Sequence, residues 1–291
     1  MSVSAAPFLP RLAQYLRERF PLPAHGPLVF AFGLGVSAFG AQGWPGTARW
    51  LAASAAVLGV FFQLRVADEH KDADEDAAFR PERAVPRGLV RLSELRAVAL
   101  ALVPLQLAAA AALGPRALAA LALAWGFGAL MTAEFFAPAW LRARPALYLL
   151  SHLFVMPLLD LFVLVAGAGH AALPAAWLAP VGASYAGAGV LEVGRKMRAP
   201  SEERPGVETY TAAWGPARAG AVWVGFAATS LAALWPVLRP GARLVLAVLC
   251  AVLAAAAVAA PRRPRLYAAF EALSGVWLLA QYAALGLSAL L

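Results

Sequence analysis

Three aspartates at helical spacing form the part of this sequence best suited to chemistry. Asp68, Asp72 and Asp76 are spaced i, i+4 and i+8 within the stretch 65–88, which holds seven acidic and five basic residues. If one helix continues through all three, their carboxylates stack on one face about 6 Å apart along the axis. Carboxylate oxygens suit Mg²⁺, which proteins commonly share with the phosphate oxygens of a substrate.

Arginines occupy the second half of the same stretch. Arg80, Arg83 and Arg87 follow the aspartates in a run that contains Pro81 and Pro86 and therefore cannot be regular helix. Guanidinium groups match the geometry of phosphate oxygens. Acids for a metal followed by bases for phosphate predict a site for a magnesium-bound phosphate compound. The alternative is a solvated loop whose mixed charges neutralise each other.

A second charged stretch, residues 191–215, lies much later in the chain and has the same mixture of acids and bases. A site that uses both stretches requires a fold that brings them together. The charged residues of this second stretch that suit such a site are Glu192, Arg195, Lys196, Glu203 and Arg204.

The composition indicates a membrane protein. Hydrophobic residues make up 62% of the 291 residues, more than the roughly 50% of ordinary globular chains. The single cysteine, Cys250, excludes an internal disulfide and a thiolate metal site. The net charge of +8 does not predict a nucleic-acid partner, because the bases form no stripe on a soluble face. No Walker loop, GxGxxG, HExxH or GxSxG motif occurs.

The fold predicted is all-α, with about nine membrane-spanning helices in a single domain over residues 27–291. Residues 1–26 precede it as an amphipathic helix on the membrane surface, with a frayed tail as the alternative. Each of the nine segments has roughly the length needed to span a bilayer. The predicted segments are 27–44, 47–66, 95–112, 116–137, 145–167, 174–193, 212–235, 241–260 and 266–290.

The distribution of basic residues predicts the orientation of the chain. With a cytoplasmic N-terminus, 20 of the 24 lysines and arginines fall on the inner side of the nine segments. The positive-inside rule therefore favours a multi-pass protein of the inner (plasma) membrane with a cytoplasmic N-terminus and an outside C-terminus. Both charged stretches then lie on the cytoplasmic side.

The first charged stretch resembles the first Asp-rich motif of the UbiA-type intramembrane prenyltransferases. The family pattern, Asn-Asp-x-x-Asp-x-x-x-Asp followed by Arg-Pro-x-Pro-x-Gly, fits without a gap. Asp68 stands where the family usually has Asn, and Ala84 replaces the Pro after the Arg. The matching residues are Asp68, Glu69, Asp72, Asp76, Arg83, Pro86 and Gly88.

The second stretch resembles the second Asp-rich motif of that family, with about two extra residues around 199–202. Glu192 takes the Asn position of the motif, and Lys196 takes the position of a metal-binding Asp. This lysine either replaces the charge of a second metal ion or indicates that the two-metal diphosphate site is lost. The other matching residues are Arg195, Glu203, Arg204, Gly206, Thr209 and Gly215.

The residues and the resemblance together predict a site near the inner membrane surface, with helices surrounding a central cavity for an apolar chain. Arg142 and Arg144 resemble a basic loop of the family that contacts diphosphate, and their alternative role is to anchor the interface. Predicted Mg²⁺ ligands are Asp68, Glu69, Asp72, Asp76 and Glu203. Predicted catalytic residues are Asp68, Asp72, Asp76 and Lys196. Predicted substrate-binding residues are Arg80, Arg83, Arg87, Arg142, Arg144, Glu192, Arg195 and Arg204.

Two ionisable residues lie deeper in the fifth apolar segment. Asp160 is a candidate functional residue because charged groups within a membrane are costly, and a packing partner is the alternative. His152 is expected to be a core histidine with its hydrogen bonds satisfied.

The resemblance implies Mg²⁺-dependent transfer of a prenyl group from a prenyl diphosphate to a lipid or aromatic acceptor, among membrane lipids. An alternative is a permease or ion carrier, in which acids at the cytoplasmic mouth gather cations and Asp160 marks their path. A protein that binds lipid without catalysis on the same fold is a further alternative. The arginine-rich halves of both stretches favour an anionic head group, since a cation path does not need them.

Overall fold

The computed structural model describes residues 6–204 and 206–291, and within these ranges it consists of helices joined by turns. The all-α prediction is thereby confirmed. Residues 1–5 of the predicted N-terminal segment lie outside the described residues. The α-helices are α1 Phe8–Arg19, α2 Leu22–Ala41, α3 Thr47–Lys71, α4 Ala73–Phe79, α5 Leu92–Leu113, α6 Pro115–Thr132, α7 Pro138–Arg142, α8 Pro145–Leu153, α9 Val155–Ala168, α10 Leu178–Arg195, α11 Tyr210–Trp214, α12 Pro216–Leu234, α13 Pro240–Ala259 and α14 Phe270–Leu290.

Eight helical segments of the described chain are long and apolar enough to cross a membrane. They correspond to eight of the nine predicted segments, with α8 and α9 together forming one span, Pro145–Ala168. The remaining predicted segment is α10, an 18-residue helix that packs against α9, α12 and α14 within the same bundle. The polytopic membrane fold predicted from composition is confirmed.

Prolines and glycines set where several of these helices begin. Pro115 and Pro216 are the first residues of α6 and α12, a position at which the missing amide hydrogen costs nothing. Gly114 and Gly215 precede them at φ +116 and +79. The sequence therefore forces tight turns between α5 and α6 and between α11 and α12.

Small residues bring α2 close to its neighbours in the bundle. A Cβ on Gly167 of α9 would lie 2.1 Å from the Ser37 carbonyl oxygen, and one on Gly35 would lie 2.5 Å from that of Tyr282 in α14. Such backbone contact between helices is typical of packing in lipid. It places α2 at the centre of the bundle, between α9 and α14.

Two predicted segments differ from the structure in ways that affect the site. Helix α3 ends at Lys71, and Asp72 joins it to α4 with φ −93 and ψ 6. The predicted single helix through Asp68, Asp72 and Asp76 is therefore interrupted at Asp72, although the amides of Asp72 and Asp76 still donate to the carbonyl oxygens four residues before them. The fourth predicted segment ends early, since α6 stops at Thr132 and a left-handed turn follows.

Helix α1 lies within the segment predicted to form an N-terminal amphipathic helix, and it packs against the end of the bundle that carries the first charged stretch. Tyr15 is fully buried in a cluster that includes Phe62, Val66 and Leu95. Arg11 donates two hydrogen bonds to Glu94, at 2.9 and 2.7 Å. Because these contacts reach α3 and α5, α1 is part of the framework that holds the first charged stretch.

Candidate functional site

Asp68 and Asp72 keep the relationship predicted from the sequence. One turn separates them, and the Asp72 amide donates to the Asp68 carbonyl oxygen at 2.9 Å. Asp68 Oδ2 lies 3.8 Å from Arg65 Nη1, and its Oδ1 lies 3.9 Å from Lys71 Nζ. Burial raises the pKa of the Asp72 carboxyl against the opposing charge of Lys71, and the neighbouring acids raise it further. A bound cation would relieve this crowding of like charge.

Asp76 is paired with the arginines of its own stretch. It is 2% exposed, and Arg80 and Arg83 donate to its oxygens at 2.8 and 2.7 Å. Its amide donates to the Asp72 carbonyl oxygen at 2.8 Å, and its charge contributes to the raised pKa of Asp72. Because two arginines already neutralise its carboxylate, its predicted place in a shared metal site with Asp68 and Asp72 stays a prediction.

Glu69 is hydrogen-bonded to side chains of α1. Its Oε1 accepts hydrogen bonds from Arg19 Nε at 2.7 Å and from the Tyr15 hydroxyl at 3.5 Å. One residue along a helix is a rotation of about 100°, so Glu69 faces α1 while Asp68 faces the bundle. Its predicted role as a metal ligand does not fit this orientation.

Three charged side chains at the end of α10 form a compact group. Glu192 accepts from Arg195 Nε at 2.7 Å and lies 3.0 Å from Lys196 Nζ. The Lys196 ammonium is 5.8 Å from the centroid of the Tyr210 ring, and its carbonyl oxygen accepts from the Tyr210 amide. The group carries two positive charges against one negative charge, so it suits an anion.

Glu203 holds the second loop together. Its carboxylate accepts hydrogen bonds from the Thr209 and Thr211 hydroxyls at 2.7 and 2.6 Å. Thr209 also caps α11 by accepting from the Ala212 amide at 3.1 Å. The predicted metal ligand Glu203 is thus committed to the structure of its own loop.

The two charged stretches meet at one end of the bundle. Gly206, at φ +74, packs so closely on Phe79 that a Cβ would lie 2.5 Å from its ring. Arg204 lies 3.9 Å from Glu82, and Asp68 is near enough to Arg195 to interact electrostatically. The predicted convergence of the two stretches is therefore present in the fold.

The remaining predicted arginines are distributed around this end. Arg87 donates to Glu18 of α1 at 2.7 Å and so also serves to anchor that helix. Arg142 and Arg144 are exposed, and the Arg144 guanidinium stacks on Trp140 at 4.5 Å from the ring centroid. Their predicted contact with diphosphate stays a prediction.

The acidic side chains are better placed to hold one magnesium ion together with substrate phosphates than to hold a metal ion by themselves. Within residues 6–204 and 206–291, no three Asp, Glu, His or Cys side chains are arranged to hold a metal ion. Asp68 and Asp72 form a pair one helical turn apart at the end of α3. Mg²⁺ is usually held by one or two carboxylates together with substrate phosphates, so this pair fits one such ion.

A polar group beside Asp68 was missed at the sequence level. Lys71 Nζ lies 2.8 Å from the Tyr148 hydroxyl and 3.3 Å from Glu134 Oε1, and the Tyr148 hydroxyl donates to Glu134 at 3.2 Å. Glu134 begins a turn in which three successive residues, 134–136, have φ between +50 and +58. Strained backbone of this kind is concentrated at functional sites. The one signal in the sequence was an acid, Glu134, at the inner end of an apolar segment.

Asp160 is fully buried in the middle of the bundle. Its Oδ1 accepts from the Ser184 hydroxyl at 3.0 Å, and Tyr282 donates to Ser184 at 3.2 Å. Its Oδ2 has no hydrogen-bond partner among the described residues. Helix α10 thus supplies a hydroxyl group to Asp160, and α14 supplies a second hydroxyl to Ser184, which supports the packing alternative for the role of Asp160.

No protein-family model and no curated protein sequence matches this chain. Solved structures do match it over nearly its whole length. The apo structure of a UbiA homologue from Aeropyrum pernix K1 superposes with a TM-score of 0.66 at 19% identity, over 90% of this chain and 96% of that one. A UbiA homologue from Archaeoglobus fulgidus bound to DMAPP and Mg²⁺ gives 0.56 at 17% identity, over 93% and 98%.

A third match is a structure described as a digeranylgeranylglyceryl phosphate synthase in membranes. Its TM-score is 0.60 at 13% identity, over 95% of this chain and 99% of that one. At these identities the comparisons show the fold, and they confirm the UbiA-like architecture predicted from the two charged stretches.

Proposed function

We propose that this chain, which has the fold of UbiA homologues, is an intramembrane UbiA-type prenyltransferase. It would transfer a prenyl group from a prenyl diphosphate to a lipid or aromatic acceptor, with Mg²⁺ as cofactor. The observation that carries the proposal is the meeting of the two charged stretches at one end of the bundle, where Gly206 packs on Phe79 and Arg204 lies 3.9 Å from Glu82. The A. fulgidus homologue of the same fold, bound to DMAPP and Mg²⁺, supports this choice of ligand.

In this proposal the diphosphate lies between α3 and α10. Asp68 and Asp72 would hold the magnesium ion, which neutralises charge on the diphosphate oxygens when bound. Arg195 and Lys196 would contact the diphosphate from α10. Arg80 and Arg83 would act through Asp76, by keeping the loop after α4 folded against the mouth of the site.

The reaction needs separation of charge at the C1 carbon of the prenyl group. As the C1–O bond breaks, its electron pair leaves with the diphosphate, and the allylic fragment becomes electron-poor. Arg195 and Lys196 stabilise the negative charge that develops on the departing group, because cations already in place where the charge develops need not reorganise during the reaction. The acceptor forms its bond to C1 as the C1–O bond breaks, and it gives up one proton.

Incubation of the purified protein with Mg²⁺ and prenyl diphosphates of several lengths tests the proposal. We expect saturable, magnesium-dependent binding and release of diphosphate when an acceptor is supplied. A protein that binds none of these diphosphates at any magnesium concentration would contradict it and would favour a carrier or lipid-binding role.

The proposed orientation of the chain in the membrane follows from the distribution of its lysines and arginines. The cytoplasmic side carries both charged stretches, and the N-terminus lies on that side of the inner membrane with the C-terminus outside. In a Cys250→Ala background, single cysteines at the exposed positions 74 and 201 should be labelled from the cytoplasmic side only. Labelling of the two positions from opposite sides would rule out a shared site.

A further inference from the structure

Lys71, the last residue of α3, lies between two carboxylates that differ in burial. Its Nζ is 3.9 Å from Asp68 Oδ1 and 3.3 Å from Glu134 Oε1. The Asp68 side chain is 44% exposed, whereas the Glu134 side chain is 6% exposed. The lysine is therefore shared between a carboxylate open to solvent, which is a proposed magnesium ligand, and a carboxylate enclosed by the protein.

One oxygen of the enclosed carboxylate has no partner. Lys71 Nζ donates to the Tyr148 hydroxyl at 2.8 Å, and this hydroxyl donates to Glu134 Oε1 at 3.2 Å. Glu134 Oε2 is buried and has no hydrogen-bond partner among the described residues. A buried carboxylate oxygen without a donor is unfavourable. Glu134 can therefore accept a closer contact from the lysine than it has in this arrangement.

The backbone holds Glu134 in place in spite of strain. Residues 134–136 all have φ between +50 and +58. Phe135 of this turn meets the His152 ring edge-on at 5.8 Å, and His152 stacks on Tyr148 at 3.9 Å between ring centroids. Strained backbone of this kind persists only where the surrounding contacts fix it. The buried acid therefore has a fixed position, and the flexible partner in the ion pair is the lysine.

The lysine has space in which to move. A cavity of about 10 Å³, lined in part by Asp68, Lys71 and Thr132, lies beside its side chain. This volume corresponds to about one water molecule. Because the ammonium is carried on a flexible four-carbon stem, it can shift from one carboxylate towards the other by a change of side-chain rotamer, without movement of the helices.

A divalent cation on Asp68 would lie close to the Lys71 ammonium. Like charges at short range repel each other, most strongly where water is partly excluded. The ammonium would then either weaken the binding of the cation or move away from Asp68. Glu134 provides the place to which it can move, because it already contacts the lysine and has one oxygen without a donor.

We propose that Lys71 is a positioning residue of the metal site, an inference that rests on the proposed function. It neutralises Asp68 while no metal ion is bound, and it turns fully to Glu134 when Asp68 binds the metal ion. Glu134 thereby determines how readily Asp68 becomes available as a ligand. This role accounts for a lysine placed between Asp68 and Asp72 in an acidic stretch, and for a buried acid beside it.

Binding of Mn²⁺, used as a spectroscopic substitute for Mg²⁺, tests this role. The purified protein is titrated with Mn²⁺ in the presence of saturating geranyl diphosphate and without an acceptor, and free Mn²⁺ is measured by electron paramagnetic resonance. The variants are Glu134→Gln, Lys71→Met and the double variant. Glutamine can still accept from Tyr148 but lacks the charge that attracts the lysine. The matched control is Glu271→Gln, at an exposed glutamate in the first turn of α14.

We expect Glu134→Gln to weaken Mn²⁺ binding about fivefold, because the ammonium then stays on Asp68. This factor corresponds to about 1 kcal/mol, the upper range for a partly exposed ion pair. Lys71→Met should bind Mn²⁺ at least as tightly as the parent. In the Lys71→Met background, Glu134→Gln should change Mn²⁺ binding by less than about twofold, because Glu134 acts only through the lysine. If Lys71→Met does not fold, Lys71→Gln gives the same comparison, since its amide keeps hydrogen-bond donors near Tyr148.

The comparison of the two backgrounds separates this role from a general effect of charge. An equal effect of Glu134→Gln with and without Lys71 would overturn the proposal, because Glu134 would then act on the metal as a remote charge. Unchanged Mn²⁺ binding in Glu134→Gln would overturn it as well, even if its thermal unfolding temperature were lower. A parent protein that binds neither Mn²⁺ nor geranyl diphosphate would instead overturn the proposed function.

Discussion

The Asp72→Asn protein is expected to bind geranyl diphosphate in the presence of Mg²⁺ about 10- to 100-fold more weakly than the parent. An interaction with a charged group contributes roughly 1.5–3 kcal/mol, which corresponds to this range of affinity. Asparagine keeps one oxygen at this position but loses the negative charge that attracts the metal. The measurement is a binding titration of the diphosphate at several magnesium concentrations.

Two neighbouring aspartates serve as controls for that result. Asp74 is exposed, so Asp74→Asn should bind as the parent does. Asp76→Asn should act on stability instead, because it removes the buried charge that faces Arg80 and Arg83. Breaking such a pair costs about 3 kcal/mol, and a lower temperature of thermal unfolding would show it. Equal magnesium dependence in Asp72→Asn and the parent would contradict the metal site and favour the solvated-loop interpretation.

The spanning helices were predictable because the sequence features that mark each helix lie within its own segment. Long apolar segments separated by charged or Pro- and Gly-containing turns need only length and composition to be recognised. The boundaries near the site were less predictable. Nothing in the residues around Asp72 breaks a helix in the way that proline or glycine does, so the join between α3 and α4 could not be placed from the sequence.

Hydrogen bonds to neighbouring side chains explain two of the differences between the predicted and the observed site. Glu69 is paired with Arg19, and the residues that pair are separated by 50 positions, a distance over which spacing carries no information. Glu203 looked like a metal ligand by its place in a motif, yet two nearby threonines use both of its oxygens. In each case the carboxylate already accepts hydrogen bonds from side chains of the protein, so it is not free to bind a ligand.

His152 is a residue that the sequence did not place near the site, although the structure does. As a single histidine in an apolar segment it was expected to be satisfied in the core, and one of its two ring nitrogens is. The other has no hydrogen-bond partner among the described residues, and the ring lies with Asp68 and Lys71 at a small pocket where α3, α6 and α8 meet. Only the relative placement of α3, α6 and α8 reveals this, since none of these helices carries a motif that names the others.

Lys196→Ala is expected to weaken binding of geranyl diphosphate about 10- to 100-fold, and Lys196→Arg is expected to weaken it much less. The ammonium lies at the end of α10 beside Arg195 and Glu192, in the position where the resembling motif has a metal-binding acid. A positive charge there contributes to phosphate binding directly, with a loss of roughly 1.5–3 kcal/mol when it is removed. Arginine keeps the charge but changes its shape from a compact ammonium to a planar fork.

The weaker binding expected for Lys196→Ala should not result from a loss of the folded structure. Glu192 keeps its hydrogen bond from Arg195 when Lys196 is removed, so the group at the end of α10 retains a paired acid. Arg218→Ala removes one exposed positive charge at the start of α12 and should leave binding unchanged. Thermal unfolding of Lys196→Ala should likewise remain close to that of the parent.

The dependence on magnesium distinguishes the possible roles of Lys196. If its ammonium replaces part of the charge of a second metal ion, the parent binds diphosphate with a shallow magnesium dependence, because one ion together with Lys196 and Arg195 is sufficient. Lys196→Asp then places a second carboxylate one turn from Glu192, and its binding should either become steeply dependent on magnesium or be lost. If Lys196→Ala binds geranyl diphosphate as tightly as the parent at every magnesium concentration, the lysine does not contact the phosphate. The second charged stretch would then be a surface loop of a protein that kept the UbiA-type fold without its diphosphate site.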